Sequence, residues 1–196
     1  ATCAYDGFIK VWDMTTNKVI LTLKVNDPGE IINDDEKYKI YSLKWSPNDK
    51  ELLLTGDSKG NIRLWDIDKQ KQLSCLKLNN LKKGEVIGID WNTNNSILAS
   101  LNDSVYVCSY EGNKLLLERT IFLKTKAFQI KFSPHDANDF AVGCEDGIIR
   151  IYSTTQKNTS EPKGKLQGHT QKVFGISYNP KSNILASSSD DFKIGI

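Results

Sequence analysis

The sequence predicts an all-β protein in which one four-stranded unit recurs about every 44 residues. Three observations predict it. First, IKVWD (9–13), IRLWD (62–66), VYVCS (105–109) and IRIYS (149–153) place Trp12, Trp65, Cys108 and Tyr152 at spacings of 53, 43 and 44. Second, YSLKW (41–45), IGIDW (87–91), FQIKF (128–132) and FGISY (174–178) keep the same beat, and each ends in an aromatic. Third, no stretch long enough for a helix repeats its apolar residues every 3.6 positions.

Within each unit the elements follow in a fixed order, strands a to d. Strand a ends in its aromatic and is followed by SPND, NTNN, SPHD or NPKS, residues that reverse a chain. Strand b is short and apolar: ELLLT, SILAS, DFAVG, NILAS. A tight turn leads to strand c, and a loop leads to strand d. In the second unit the four strands are expected near residues 39–45, 51–56, 61–66 and 71–78. The chain divides into the end of one unit (1–24), three whole units (39–78, 85–123, 126–167) and the start of a further one (172–196), with an acidic insertion at 25–38.

Several of these strands are apolar or aromatic on both faces, whereas a sheet with one wet face would alternate more cleanly. Two buried faces are expected when each small sheet is sandwiched between neighbours, as in radially stacked blades, which is a β-propeller. The last strand alternates Phe192, Ile194 and Ile196 against Lys193 and Gly195, with no turn after it. A half-built strand leaves an apolar edge, and repeat arrays need capped ends, so the 196 residues are expected to be an excerpt of a longer chain.

Over its whole length the sequence resembles the WD40 family. Trp12-Asp13 and Trp65-Asp66 carry the WD dipeptide, and Gly168-His169 carries the Gly-His dipeptide. An aspartate stands six residues before the tryptophan position at Asp6, Asp146 and Asp191. The resemblance implies a WD40-type propeller with about four to five blades visible here, part of a larger seven-bladed or double one. It also implies a structural blade lock: a histidine, a strand-b serine or threonine, the turn aspartate and the tryptophan, hydrogen-bonded in a buried chain. Carried over, these are His169, Ser187 and Asp191 in the last unit, Thr2, Asp6 and Trp12 in the first, and Trp65 and Asp146 between. Lys59 and Asn102 replace the turn aspartate, and Cys108 and Tyr152 the tryptophan, so those middle blades are expected to be held by packing alone. His169 is therefore read as structural, and His135, in SPHDAND, as solvated. IYSLKWSP (40–47), GCEDGIIRIY (143–152) and LQGHTQKVFGISYNP (166–180) are similar to a member of the family associated with ciliated cells, which implies a ciliary or cytoskeletal setting.

Composition and motif content narrow the function. With 39% hydrophobic and 26% charged residues the chain reads as globular, and a net charge of +2 gives no reason to expect nucleic acid as partner. No apolar run reaches the roughly 18 residues of a membrane span, so no membrane insertion is expected. Cys3, Cys75, Cys108 and Cys144 have no metal-site or redox spacing and read as buried thiols of a reducing, cytoplasmic compartment. There is no phosphate-binding glycine loop, nucleophile elbow or paired-histidine zinc motif. The expectation is no enzyme, no cofactor, no metal and no catalytic residue, with other proteins as partners, several in one complex.

Two surfaces are candidates for those partners. Six residues before the aromatic that closes strand a stand Lys39, Glu85, Lys126 and Lys172. The three lysines form either a cationic collar for an acidic or phosphorylated peptide or ordinary solvated strand starts. The insertion carries Asp27, Glu30, Asp34, Asp35 and Glu36, which form either an acidic contact loop or a solvated insertion. An alternative function is a peptide-recognition subunit of an enzyme complex, such as a ubiquitin ligase or a modifying enzyme. Ligase-adaptor propellers often carry arginine two residues after the WD aspartate, where this chain has Thr15 and Asp68.

Overall fold

The computed structural model describes residues 1–25, 38–78, 83–156 and 161–196. Among them lie eighteen strands, in five antiparallel sheets that succeed one another along the chain. The first holds β1 (Thr2–Cys3), β2 (Phe8–Asp13) and β3 (Lys18–Lys24). The second holds β4 (Ile40–Trp45), β5 (Leu52–Asp57), β6 (Asn61–Asp66) and β7 (Lys71–Lys77). The third holds β8 (Val86–Trp91), β9 (Ser96–Leu101), β10 (Ser104–Glu111) and β11 (Lys114–Phe122). The fourth holds β12 (Ala127–Phe132), β13 (Asp139–Cys144), β14 (Ile149–Ser153) and β15 (Gly164–Leu166), and the fifth β16 (Val173–Tyr178), β17 (Leu185–Ser189) and β18 (Ile194–Gly195). In every sheet the spatial order is the sequence order. Among the described residues no helix is long and apolar enough to cross a membrane.

The apolar faces explain why the sheets stack. In β5, Leu53 packs into a cluster with Ile9 and Leu23 of the first sheet, while Leu52 and Leu54 pack into a cluster with Val86 and Ile97 of the third. Alternate residues of one strand thus serve two cores, as the period of two requires. Further clusters fill the seam between the third and fourth sheets and that between the fourth and fifth. Every residue of β5 and β6 is buried. This is a partial β-propeller of WD40-type blades.

Strand a departs from ideal pairing at the same place each time. A register shift falls between Ile40 and Ser42, Val86 and Gly88, Ala127 and Ile130, and Val173 and Gly175. Such bulges sharpen the local twist. Beside one of them the blades nearly touch: a Cβ on Gly88 would lie 2.5 Å from the Phe128 carbonyl oxygen of the next sheet.

The b–c turns need a left-handed residue. Gly7, Gly60 and Gly147 supply it with φ of 77°, 75° and 78°. In the third sheet only Asn102 and Asp103 separate β9 from β10, and Asn102 takes φ 54°. That tighter hairpin has no place for the turn aspartate.

The acidic residues Asp27, Glu30, Asp34, Asp35 and Glu36 lie outside the described residues. The residues flanking that segment, Val25 and Tyr38, are both buried in the cluster between the first two sheets.

Candidate functional site: blade locks and the lysine rim

The fifth sheet brings three of the carried-over lock residues together. The segment before β16 delivers His169, β17 delivers Ser187, and the turn after β17 delivers Asp191. His169 Nδ1 is 2.9 Å from Asp191 Oδ2, and its Nε2 is 2.9 Å from Ser187 Oγ. Asp191 also accepts from the amides of Thr170 (3.0 Å) and Lys193 (2.9 Å). Loss of water pushes the Asp191 carboxyl up, but the Thr170 amide, His169 and the Lys193 amide outweigh it and hold the pKa at about 2. Both ring nitrogens are engaged, and the side chains of His169 and Asp191 are 7% and 3% exposed, as a lock inside the sheet requires.

In the first sheet Trp12 Nε1 donates to Thr2 Oγ1 at 2.9 Å. Asp6 does not join them and instead caps its own turn, accepting from the Phe8 amide at 3.0 Å. In the fourth sheet Asp146 is held by Arg150 through two bonds of 2.9 and 2.6 Å, which lower its carboxyl pKa.

The expectation that the middle blades rely on packing alone is overturned. Trp65 Nε1 donates to Thr55 Oγ1 at 2.9 Å, and both residues are buried. Two positions before Lys59, Asp57 supplies the missing carboxylate. It accepts from the amides of Lys59 and Asn61, from the Asn61 side chain, and from Arg63 Nε at 3.0 Å. Arg63 is fully buried, donates to Gln72 at 2.9 Å and stacks 4.8 Å from the Tyr38 ring. Pairing on this scale offsets the cost of burying the charges. In the third sheet Asn102 donates from Nδ2 to the Lys83 carbonyl at 2.6 Å. The repeat did not point to this network, because Asp57 stands two positions before the place of the turn aspartate.

A second buried carboxylate joins three blades. Asp90 on β8 accepts the Phe132 amide of β12 at 2.8 Å, and Lys44 of β4 places its ammonium 2.7 Å from the other oxygen. No sequence reasoning picked it out, because its partners lie more than 40 residues away in both directions.

The three candidate lysines occupy one structural position. The carbonyls of Lys39, Lys126 and Lys172 accept the amides of Ser58 (2.8 Å), Glu145 (2.9 Å) and Asp190 (3.0 Å), each at the b–c turn of its own sheet. Their side chains differ. Lys39 lies 5.6 Å over the Tyr5 ring, Lys126 lies 5.5 Å over Phe128, and Lys172 sits 3.6 Å from Glu145. At the fourth position Glu85 accepts from Tyr41 OH at 2.7 Å; burial and that bond push the phenol up to about 12. The rim therefore carries lysines resting on aromatic rings, a surface of mixed cationic and apolar character.

All four cysteines were expected to be buried; Cys108 and Cys144 are, whereas Cys3 and Cys75 are half-buried. Burial pushes Cys108 up to about 12 and Cys144 to about 11, far from thiolate formation. Among the described residues no group of three histidine, cysteine or acidic side chains is placed to hold a metal ion.

The sequence is similar to those of known proteins. Residues 160–196 match the WD domain, G-beta repeat, and residues 10–94 match the WD40 domain of anaphase-promoting complex subunit 4. The chain is 28% identical to Topless-related protein 4 of Arabidopsis thaliana over 186 residues, which cover 90% of this chain and 15% of that protein. It is 26% identical to E3 ubiquitin-protein ligase COP1 of the same organism over 199 residues, covering 97% of this chain and 27% of the relative. It is 25% identical to histone acetyltransferase type B subunit 2 of Candida glabrata over 155 residues, covering 77% and 36%. Stacked four-stranded sheets, indole and histidine locks at the repeat period, and matches to two WD40 descriptions in separate segments agree with one another: the chain is similar to WD40-repeat proteins.

Proposed function

We propose that this chain is part of a non-catalytic scaffold on which several proteins dock within one larger assembly. The observation that carries the reading is the division of labour within each blade. Sheet interiors are fixed by locks and two-sided packing, while the rim at the lysine position varies from blade to blade: Lys39 on Tyr5, Glu85 on Tyr41, Lys126 on Phe128, Lys172 beside Glu145. A rigid frame carrying unlike rims suits simultaneous binding of unlike partners. Lys39, Lys126 and Lys172 are the proposed contacts for an acidic or phosphorylated segment, and the insertion at 25–38 is a second proposed contact. The proposed setting is the cytoplasm, with cilium or cytoskeleton as the narrower one, and it rests on the resemblance read from the wording of 40–47, 143–152 and 166–180.

A second reading, a specificity subunit of a modifying enzyme complex, is favoured by the names of two relatives, a ubiquitin-protein ligase and an acetyltransferase subunit. Purification of the full-length protein with its partners separates the two. A stoichiometric structural assembly supports the scaffold, and a co-purifying catalytic subunit supports the alternative. Reversing the three lysines (K39E, K126E, K172E) is expected to weaken partner binding and flatten its salt dependence while the circular dichroism stays unchanged. Unaltered affinity and slope would remove the lysines from the contact.

A further inference from the structure

The a–b turns contain polar side chains that reach out of their own blade. Asn48, in the turn after β4, donates from Nδ2 to the Thr93 carbonyl at 2.8 Å and to Asn95 Oδ1 at 3.0 Å, both in the turn after β8. Asn92 in that turn donates to the Ala137 carbonyl, in the turn after β12, at 2.7 Å. His135, expected to be solvated, is exposed yet places Nε2 3.0 Å from the Asn179 carbonyl and 2.9 Å from that of Ser182, in the turn after β16. Both partners are acceptors, so Nε2 carries the proton and donates to them. Each of three consecutive seams between described sheets is thus bridged in the same direction, from one turn to the next.

We infer that these side chains form a girdle, a turn-to-turn hydrogen-bond series on the a–b face that sets the spacing between successive blades. Three features separate a girdle from incidental contact. The donors reach backbone carbonyls, whose positions are fixed by the sheets that follow them. The bridged turns are internally capped without these groups: Ser46 Oγ accepts from the Asn48 and Asp49 amides, and Ser133 Oγ from the His135 and Asp136 amides. Asn92 alone does both jobs, since its Oδ1 accepts from the Asn94 and Ser96 amides while Nδ2 crosses the seam. The girdle residues are therefore positioning residues for the neighbouring blade. They fix the base of the propeller, so that a partner spanning two blades on the opposite rim meets a set angle between them.

The test uses backbone hydrogen exchange on the full-length protein. Asn48→Ala removes the first bridge and leaves its own turn capped by Ser46. The amides of Asn95 and Tyr110, which bond within the receiving region at 3.2 and 3.1 Å, are expected to exchange about tenfold faster, as befits loss of one supporting hydrogen bond. His135→Ala is expected to do the same at Asn179 and Ile184, whose amides are bonded at 2.8 and 2.7 Å. Asn92→Asp keeps the caps on Asn94 and Ser96 but turns an acceptor toward Ala137. It is expected to speed exchange at Asn138 and Asp139 and to spare residues 94 and 96. Exchange unchanged in the receiving turns, or faster only in the turn that carries the substitution, would overturn the girdle.

Discussion

Two indoles make the same bond in different surroundings. Trp12 and Trp65 each donate to a threonine at 2.9 Å, but Trp65 is 4% exposed and Trp12 40%. Thr55→Val strands a buried N–H and is expected to cost about 1–3 kcal/mol, whereas Thr2→Val leaves an indole that turns to water and is expected to cost less than about 0.5 kcal/mol. Urea midpoints of the two variants measure the difference. Asp191 gives a prediction in pH. Its carboxyl is held at about 2 in the fold, against roughly 3.9 in an unfolded chain. The stability it contributes is complete above about pH 4 and is lost as the pH falls from there toward 2. Asp191→Asn is expected to flatten the fall in Tm over that interval, and an unchanged slope would show that the lock does not titrate with folding. At this scale the sequence revealed what repeats. His169, Ser187 and Asp191 are named by a motif, and the structure places them within bonding distance. Asp57 and Arg63 were hidden because their carboxylate stands two positions off the beat.

Strand a shows how far an element departs from its pattern. Periodicity located every aromatic that closes it, yet said nothing of the bulge that recurs near its start. The reason is physical: the bulge answers to the next blade, some 40 residues away, and leaves no local signature. Glycine illustrates the point. Gly168 belongs to the Gly-His dipeptide, but a Cβ there meets nothing within 4 Å. Gly88, inside IGIDW, was given no part in the repeat, yet it would drive a Cβ to 2.5 Å from the Phe128 carbonyl oxygen. Gly88→Ala is expected to cost about 1–3 kcal/mol by forcing two inner strands apart, and Gly168→Ala to stay within about 0.5 kcal/mol. Thermal unfolding of the pair reads the contrast.

For the molecule as a whole, fold class and phase were legible because a repeat states the same arrangement several times. The two-sided apolar strands announced sandwiching, and the clusters that fill successive seams realise it. What joins one blade to the next was not legible. Asp90 with Lys44, and Gln129 accepting the Ile176 amide at 2.7 Å, depend on Asp90 and Gln129, whose places in strand a carry lysine or serine, and serine or glycine, in the other units. Between the sheets each seam has its own pair, while the bridges between a–b turns recur from seam to seam.

That individuality follows from Leu53 facing one core while Leu52 and Leu54 face another. A propeller of this kind has no common centre that every residue must suit. Each blade has only its two neighbours to fit, so a change on one face is felt by one other blade. Unlike clasps can therefore stand in different blades, histidine with aspartate in one and arginine with aspartate in two others.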